Sequence, residues 1–157
     1  MAKAVLLRID DRLLHGQVAR NWMKQVGADV IVVANDLVSE DEKQQHLMDL
    51  VTPMGSKSYF FGISEASSKI KDLEEEDALV LVESPADALK LIEDGIEIDS
   101  VNVGNIHQTS GKEKVNESIF VDQNDIDTFK KIETSGKKLD FRTLPNDQAI
   151  DFDQLFK

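Results

Sequence analysis

Apolar residues along the chain fall into two alternating patterns: short continuous runs, and stripes recurring every three or four positions. The runs read as strands buried on both faces and the stripes as helices lying on a sheet. "KAVLLRI" (3–9) is the first strand. In "GQVARNWMKQVG" (16–27), Val18, Ala19, Trp22, Met23 and Val26 share one helical face and Gly27 closes the helix. "ADVIVVAND" (28–36) is a β-branched strand. "SEDEKQQHLMDLVTP" (39–53) opens on Ser39 with Glu42 three residues on, a capping box, and carries Leu47, Leu50 and Val51 as its apolar stripe.

"KSYFFGI" (57–63) is a third strand, "SEASSKIKDL" (64–73) a helix with Ser64 as cap, and "EEED" (74–77) a solvated connection. "ALVLVE" (78–83) is a fourth strand. "SPADALKLIEDG" (84–95) has Ser84 as N-cap, Pro85 in the first helical position and Gly95 as stop. "DSVNVGN" (99–105) and "ESIFVD" (117–122) are further strands, "QNDIDTFKKIETSG" (123–136) a helix with Ile126, Phe129 and Ile132 on one face, and "KLDFRTLP" (138–145) a final strand. Alternation of this kind predicts an α/β fold: one doubly wound domain over 1–157, with a mostly parallel sheet of about seven strands and helices on both faces.

Composition narrows the function. There is no cysteine, hence no disulfide, no thiolate metal site and no cysteine nucleophile. The formal net charge of −12 argues against a nucleic-acid partner, because a phosphate backbone needs a basic face. No apolar run approaches the roughly 18 residues of a membrane span, and the N-terminal run ends too soon in charges to be a signal peptide. Both features fit a cytoplasmic protein.

In a doubly wound sheet, ligands bind beyond the carboxyl ends of the strands. The segments expected there are 10–16, 34–38, 62–64, 83–85 and 104–113. The first holds Asp10, Asp11, Arg12 and His15 just before a helix that opens at Gly16 and Gln17. Free N–H groups at that helix start favour an anion. Imidazole at neutral pH is a nucleophile, a general base or a metal ligand. Asp10 or Asp11 would accept from one ring N–H and fix the tautomer, leaving the other nitrogen to attack. Arg12 offers a planar fork of donors for phosphoryl oxygens. Together these types suit phosphoryl transfer.

The remaining segments supply Asn35, Asp36, Gly62, Ser64, Ser84, Gly104, His107, Gly111 and Lys112. The plainer readings stand beside the functional one. A loop histidine is most often a hydrogen-bonding surface residue, Asp11 and Arg12 suit a surface ion pair, and Gly104 and Gly111 are ordinary turn formers. His46 and His107 lack zinc-ligand spacing, and no GxGxxG or P-loop pattern is present, so neither a metal nor a cofactor is expected.

"VLLRIDDRLLHGQV" resembles the signature of the IIB subunits of the mannose/fructose/sorbose family of the bacterial phosphotransferase system. "VIVVANDLVSED", "SPADALKLIEDGIEIDSVNVGNIH" and "GKEKVNESIFVDQNDIDTFKKIETSGKKLDFRTLPND" carry the likeness over nearly the whole chain. The resemblance implies a phosphoryl carrier. It takes a phosphoryl group from a phosphohistidine on a IIA protein and passes it to a sugar moved through the membrane by the IIC and IID subunits, at whose cytoplasmic face it works. It implies His15 as the acceptor through Nδ1, with Arg12 contacting the phosphoryl group and Asp10 as the motif aspartate. Asp11, Gly16, Gln17, Asn35, Asp36 and Ser84, with His107, Gly111 and Lys112, are then candidates for phosphate or partner binding. Lys112 is expected to meet the phosphoryl group or an acidic partner. "NVGNIH" departs from the family's usual run after Asn-Val-Gly, which leaves the sugar open. A homo-oligomer stays open too. The alternative is a regulatory or small-molecule-binding module on the same fold.

Overall fold

The computed structural model describes residues 4–73, 76–98 and 100–156, without the Gln17 side chain. Lys3, Glu74, Glu75 and Asp99, which fall in expected elements, lie outside the described residues.

Strand β1 (Ala4–Asp10) has neighbours on both edges and cover on both faces, so nearly every one of its residues is buried. It pairs in parallel with β4 (Ala78–Val82) on one side and β5 (Ser100–Asn105) on the other. Outside β4 come β2 (Val30–Ala34) and then β3 (Lys57–Phe61). Outside β5 comes β8 (Lys138–Phe141). The main sheet therefore has six strands, all parallel, in the order β3-β2-β4-β1-β5-β8. Alternate residues of each strand feed two separate cores. Leu7, Ile9, Val80 and Val103 face one side, and Leu6, Ile31, Val33 and Leu81 the other.

The helices divide between these cores. The helix α1 (Gly16–Val26) lays Ala19, Trp22 and Met23 on the second, with Val38 of α2 (Asp36–Ser39) and Met48 of α3 (Glu42–Leu50) beside it. The first is covered by α4 (Ile63–Lys71), α5 (Pro85–Glu93), α6 (Gln123–Thr134) and the short α7 (Phe152–Phe156). The chain thus leaves β1 toward one face and leaves β4 and β5 toward the other. Such a reversal opens a crevice at the carboxyl end of β1.

Local details depart from the expectations above, each for a physical reason. The segment after β2 is two helices. Asn35 Oδ1 accepts from Val38 N and caps α2, while Asp41 Oδ1 accepts from Lys43 N and Gln44 N and caps α3. Ser39 caps nothing, because its hydroxyl donates back to the Asp36 carbonyl. Gly62, not Ser64, precedes α4, and Glu65 reaches back to the Gly62 N–H at 3.1 Å. Ser84 and Pro85 open α5 as expected, with Asp87 N donating to Ser84 Oγ.

The strand expected at 117–122 does not join the main sheet. Its core, β7 (Ile119–Val121), pairs antiparallel with β6 (Glu113–Asn116), which the pattern missed because its residues are mostly exposed. Residues 142–145 do not extend β8. The stripe Leu47, Leu50 and Val51 faces outward, and Met48 is the residue of α3 that enters the core.

Phe129 is fully buried, edge-on to Phe141 at 5.3 Å and stacked with Phe156 at 6.3 Å. Phe129→Ala is expected to lower unfolding free energy by about 3–5 kcal/mol in a urea titration, since the cavity cannot close over two rings. A loss under about 1 kcal/mol would contradict this packing.

Candidate functional site

The site is built on the last residue of β1. Asp10 is completely buried, and its carboxylate accepts from three donors: Arg8 Nη2 at 3.0 Å, Arg12 N at 3.0 Å and His15 Nε2 at 2.7 Å. Burial alone would push its pKa up. The His15 hydrogen bond, the Arg8 charge and the Arg12 N–H outweigh burial and hold it below the usual carboxylate range. An ionised carboxylate only accepts, so Nε2 of His15 carries a proton, and in the neutral ring the lone pair sits on Nδ1. The structure thereby separates the two acids: Asp10, not Asp11, orients the imidazole.

The loop between β1 and α1 is short and packed. Leu13 N donates to the Asp10 carbonyl, Leu13 takes φ 57°, and Leu13 and Leu14 both enter the core under α1. His15 follows in extended conformation as the residue before α1. Its side chain is about a quarter exposed, at 24%. α1 has no side-chain cap and no acid in its first turn. Its leading N–H groups therefore present an uncompensated positive end beside His15. Arg12 is exposed and its guanidinium has no partner among the described residues.

Behind Asp10 stands a residue absent from the sequence-based candidates. Arg8 is 1% exposed and lies on the α1 side of β1. Nη1 donates to Asn102 Oδ1 at 2.6 Å and to the Thr143 carbonyl at 2.8 Å, and the guanidinium lies 5.5 Å from the Trp22 ring centroid. Burial lowers its pKa against the pull of Asp10, but an arginine stays charged. Trp22 Nε1 donates to the same Thr143 carbonyl, and Arg142 lies 5.2 Å from the ring. The segment after β8 leaves the sheet because it supplies these groups. The room for Arg8 comes from Gly104, where a Cβ would stand 2.1 Å from the guanidinium carbon. The signal was present as a lone arginine inside an otherwise apolar run.

The other candidates separate into two groups. Asp11 ties the β1 loop to the segment after β5, accepting from Asn105 Nδ2 at 2.8 Å and His107 N at 2.7 Å. His107, largely exposed, also sets its ring against Asp11. Gly16 lies beside Val51 of the α3 end, 3.8 Å from its Cβ to an added Cβ. Gly16 directly follows His15, and Asp11 and His107 join the loop that carries His15 to the segment after β5. The rest hold the scaffold. Asn35 and Ser84 cap helices, and Asp36 accepts from Ile63 N at 2.8 Å. Gly111 makes a turn at φ 86°. The Lys112 ammonium is paired with Asp125 of α6 at 2.7 Å. Gln17 lies in α1, and its side chain is outside the description. Among the described residues, no three His, Asp or Glu side chains are grouped to hold a metal ion, and no helix is long and apolar enough to cross a membrane.

The family model described as PTS system sorbose subfamily IIB component matches residues 4–157. The chain is 37% identical to the N-acetylgalactosamine-specific phosphotransferase enzyme IIB component 2 of Escherichia coli (strain K12), over 100% of this chain and 99% of that one. It is 35% identical to the mannose-specific EIIAB component of the same organism, over 92% of this chain and 46% of that longer protein. Among solved structures, the IIBSor domain of the sorbose permease from Klebsiella pneumoniae superposes with a TM-score of 0.89 at 30% identity, over 95% of this chain and 93% of that one.

Two outcomes follow from the buried pair. Gly104→Ala is expected to displace the Arg8 guanidinium and cost about 3 kcal/mol in chemical unfolding, with a shift of the His15 ring resonances. Wild-type stability would refute the close approach. Because the folded-state pKa of Asp10 is depressed, its contribution to stability is complete above the unfolded value near 3.9 and is lost as pH falls through the lower folded value. The stability gap between wild type and Asp10→Asn should therefore be widest at neutral pH and narrow below about pH 4. A gap independent of pH would exclude an ionised Asp10.

Proposed function

The chain belongs to the sorbose-subfamily IIB components of the phosphotransferase system, and from that membership we propose that it takes a phosphoryl group onto His15 Nδ1 from a IIA phosphohistidine and delivers it to a sugar passing through the IIC and IID subunits. IIB components are phosphotransferases of sugar transport, and a relative that unites the A and B components in one protein supports a IIA partner. The observation that carries the reading is the 2.7 Å bond from His15 Nε2 to a buried, arginine-backed carboxylate. It leaves one ring nitrogen free, on a partly exposed side chain.

In the first step the donor's N–P bond breaks and the Nδ1–P bond forms, with the two nitrogens in line through phosphorus. The donor imidazole keeps the bonding pair. As Nδ1 bonds phosphorus the ring turns cationic, and the Asp10 carboxylate at Nε2 stabilises that charge. The unpartnered Arg12 fork and the open N–H groups of α1 receive the three phosphoryl oxygens. In the second step a sugar hydroxyl oxygen bonds phosphorus, the Nδ1–P bond breaks with Nδ1 keeping the pair so that the ring is neutral again, and the hydroxyl proton passes to solvent water. Neither step asks for a metal or cofactor. The protein works as one IIB domain at the cytoplasmic face of the membrane, held there by IIC and IID. The intact loop disfavours a merely regulatory or ligand-binding module.

Incubation with phosphoenolpyruvate and the upstream phosphotransferase proteins should add the mass of one phosphoryl group, labile to acid. His15→Ala should remove that gain in a protein that still folds, with the melting temperature lowered by loss of the hydrogen bond to Asp10. Persistent labelling of the variant would overturn the assignment. Arg12→Lys keeps the charge but loses the fork, and transfer should slow about tenfold or more in both directions. Wild-type rates would take Arg12 out of the mechanism.

A further inference from the structure

Five large hydrophobic side chains are exposed among the described residues: Leu37, Leu47, Leu50, Val51 and Met54. All fall within one short segment. Scattered apolar residues on a surface need no explanation, but a concentration of them does. Leu47 and Leu50, three residues apart, share the outward face of α3, Val51 ends that helix, and Met54 lies in the turn just beyond it. Leu50 is 69% exposed and Met54 is fully so. The same helix puts Met48 into the core, and Gln45 Nε2 holds α3 to α2 through the carbonyls of Val38 and Ser39. The outward face is thus fixed by packing from behind.

Two further features say what covers it. The first is position: Val51 abuts Gly16, the residue after His15. The stripe runs up to the reacting histidine. The second is charge. Asp36, Glu40, Asp41, Glu42 and Asp49 are exposed around the stripe, against Lys43 as the one Lys or Arg of that segment. An apolar strip in an acidic frame repels a second copy of itself, whose net charge is also −12, and repels an anionic membrane surface. It complements a protein face that is apolar at its centre and edged with lysine or arginine.

We infer that the outward face of α3, with Leu37 of α2, is the docking surface for the protein that hands the phosphoryl group to His15. This inference rests on the phosphoryl-carrier reading and deepens it. The donor's phosphohistidine must come in line with Nδ1, so the donor's surface must cover the ground next to His15. The apolar stripe supplies burial at the centre of that contact, and the acidic frame steers encounter and sets register. The partner carries the matching apolar patch and basic rim.

The test measures phosphorylation of the full chain by phosphorylated IIA protein at varied IIA concentration. Leu47→Ser/Leu50→Ser should raise KM for IIA about tenfold or more with little change in melting temperature, because Leu47 is already half exposed and Leu50 mostly so. Glu42→Lys/Asp49→Lys should raise KM as well and weaken its dependence on salt. An unchanged KM in both variants overturns the inference. So does a normal KM with impaired delivery to vesicles bearing IIC and IID, which would give the stripe to the membrane subunits. So does a wild-type dimer in sedimentation that the serine variant abolishes. Phosphoramidate, a small donor that needs no docking surface, tests His15 separately. If neither donor labels His15 in the unaltered protein, the phosphoryl-carrier reading itself fails.

Discussion

A buried charge dictates the architecture around it. Arg8 stands in the middle of a central strand, where a guanidinium without partners would cost several kcal/mol. Asp10, two residues on and on the same face of β1, neutralises it at 3.0 Å. Asn102 and the Thr143 carbonyl accept from Nη1, and Trp22 of α1 lies across the guanidinium. One strand face, one neighbouring strand, one helix and the segment after β8 are thereby committed to a single cation. Asp10 inherits the result. It is an ionised carboxylate in a place where burial favours the neutral acid, and its remaining acceptor capacity goes to the Arg12 N–H and the His15 ring.

Topology places this arrangement where a second molecule can reach it. β1 ends between two strands whose connections run to the opposite face, so its loop has no neighbour crossing over it. Asp11 fastens that loop to the one after β5 through Asn105 and His107. The adjacent carboxylates of "RIDDR" therefore do different work: one points inward and sets the ring, the other points sideways and sets the rim. Asp10 ends the strand and Asp11 begins the turn after it, which divides them.

Much of this was legible in the sequence. Continuous apolar runs alternating with helical stripes disclosed a parallel sheet, and turn chemistry located α1 and α5 closely. The motif around His15 singled out the side chain proposed to take the phosphoryl group. What escaped was information that lives between distant segments. Gly104 reads as a turn former, yet its lack of a side chain serves Arg8, nearly a hundred residues away. Lys112 reads as a free cation after a glycine, yet Asp125 holds it. The choice between Asp10 and Asp11 depends on which way each carboxylate faces, and a residue list does not contain that. Leu47, Leu50 and Val51 have the spacing of a core face, and periodicity reports that a face is apolar without reporting what lies against it. Ser39 matched a capping pattern, but Asn35 and Asp41 made the stronger local bonds on either side of it.

Leu13 bears on how the site meets another protein. It holds a positive φ of 57° while its side chain is buried. Glycine would relax the backbone and forfeit the burial, whereas most other residues would keep the strain. The conformation is thus maintained by packing from below and by the Leu13 N–H on the Asp10 carbonyl. A loop held this way samples few alternative shapes when free. A partner that docks against such a loop pays little to order its backbone, so the conformational entropy of association on this side falls mainly on exposed side chains such as Arg12. Rapid, reversible encounter is then compatible with close alignment, because rigidity substitutes for tight binding as the source of geometric precision.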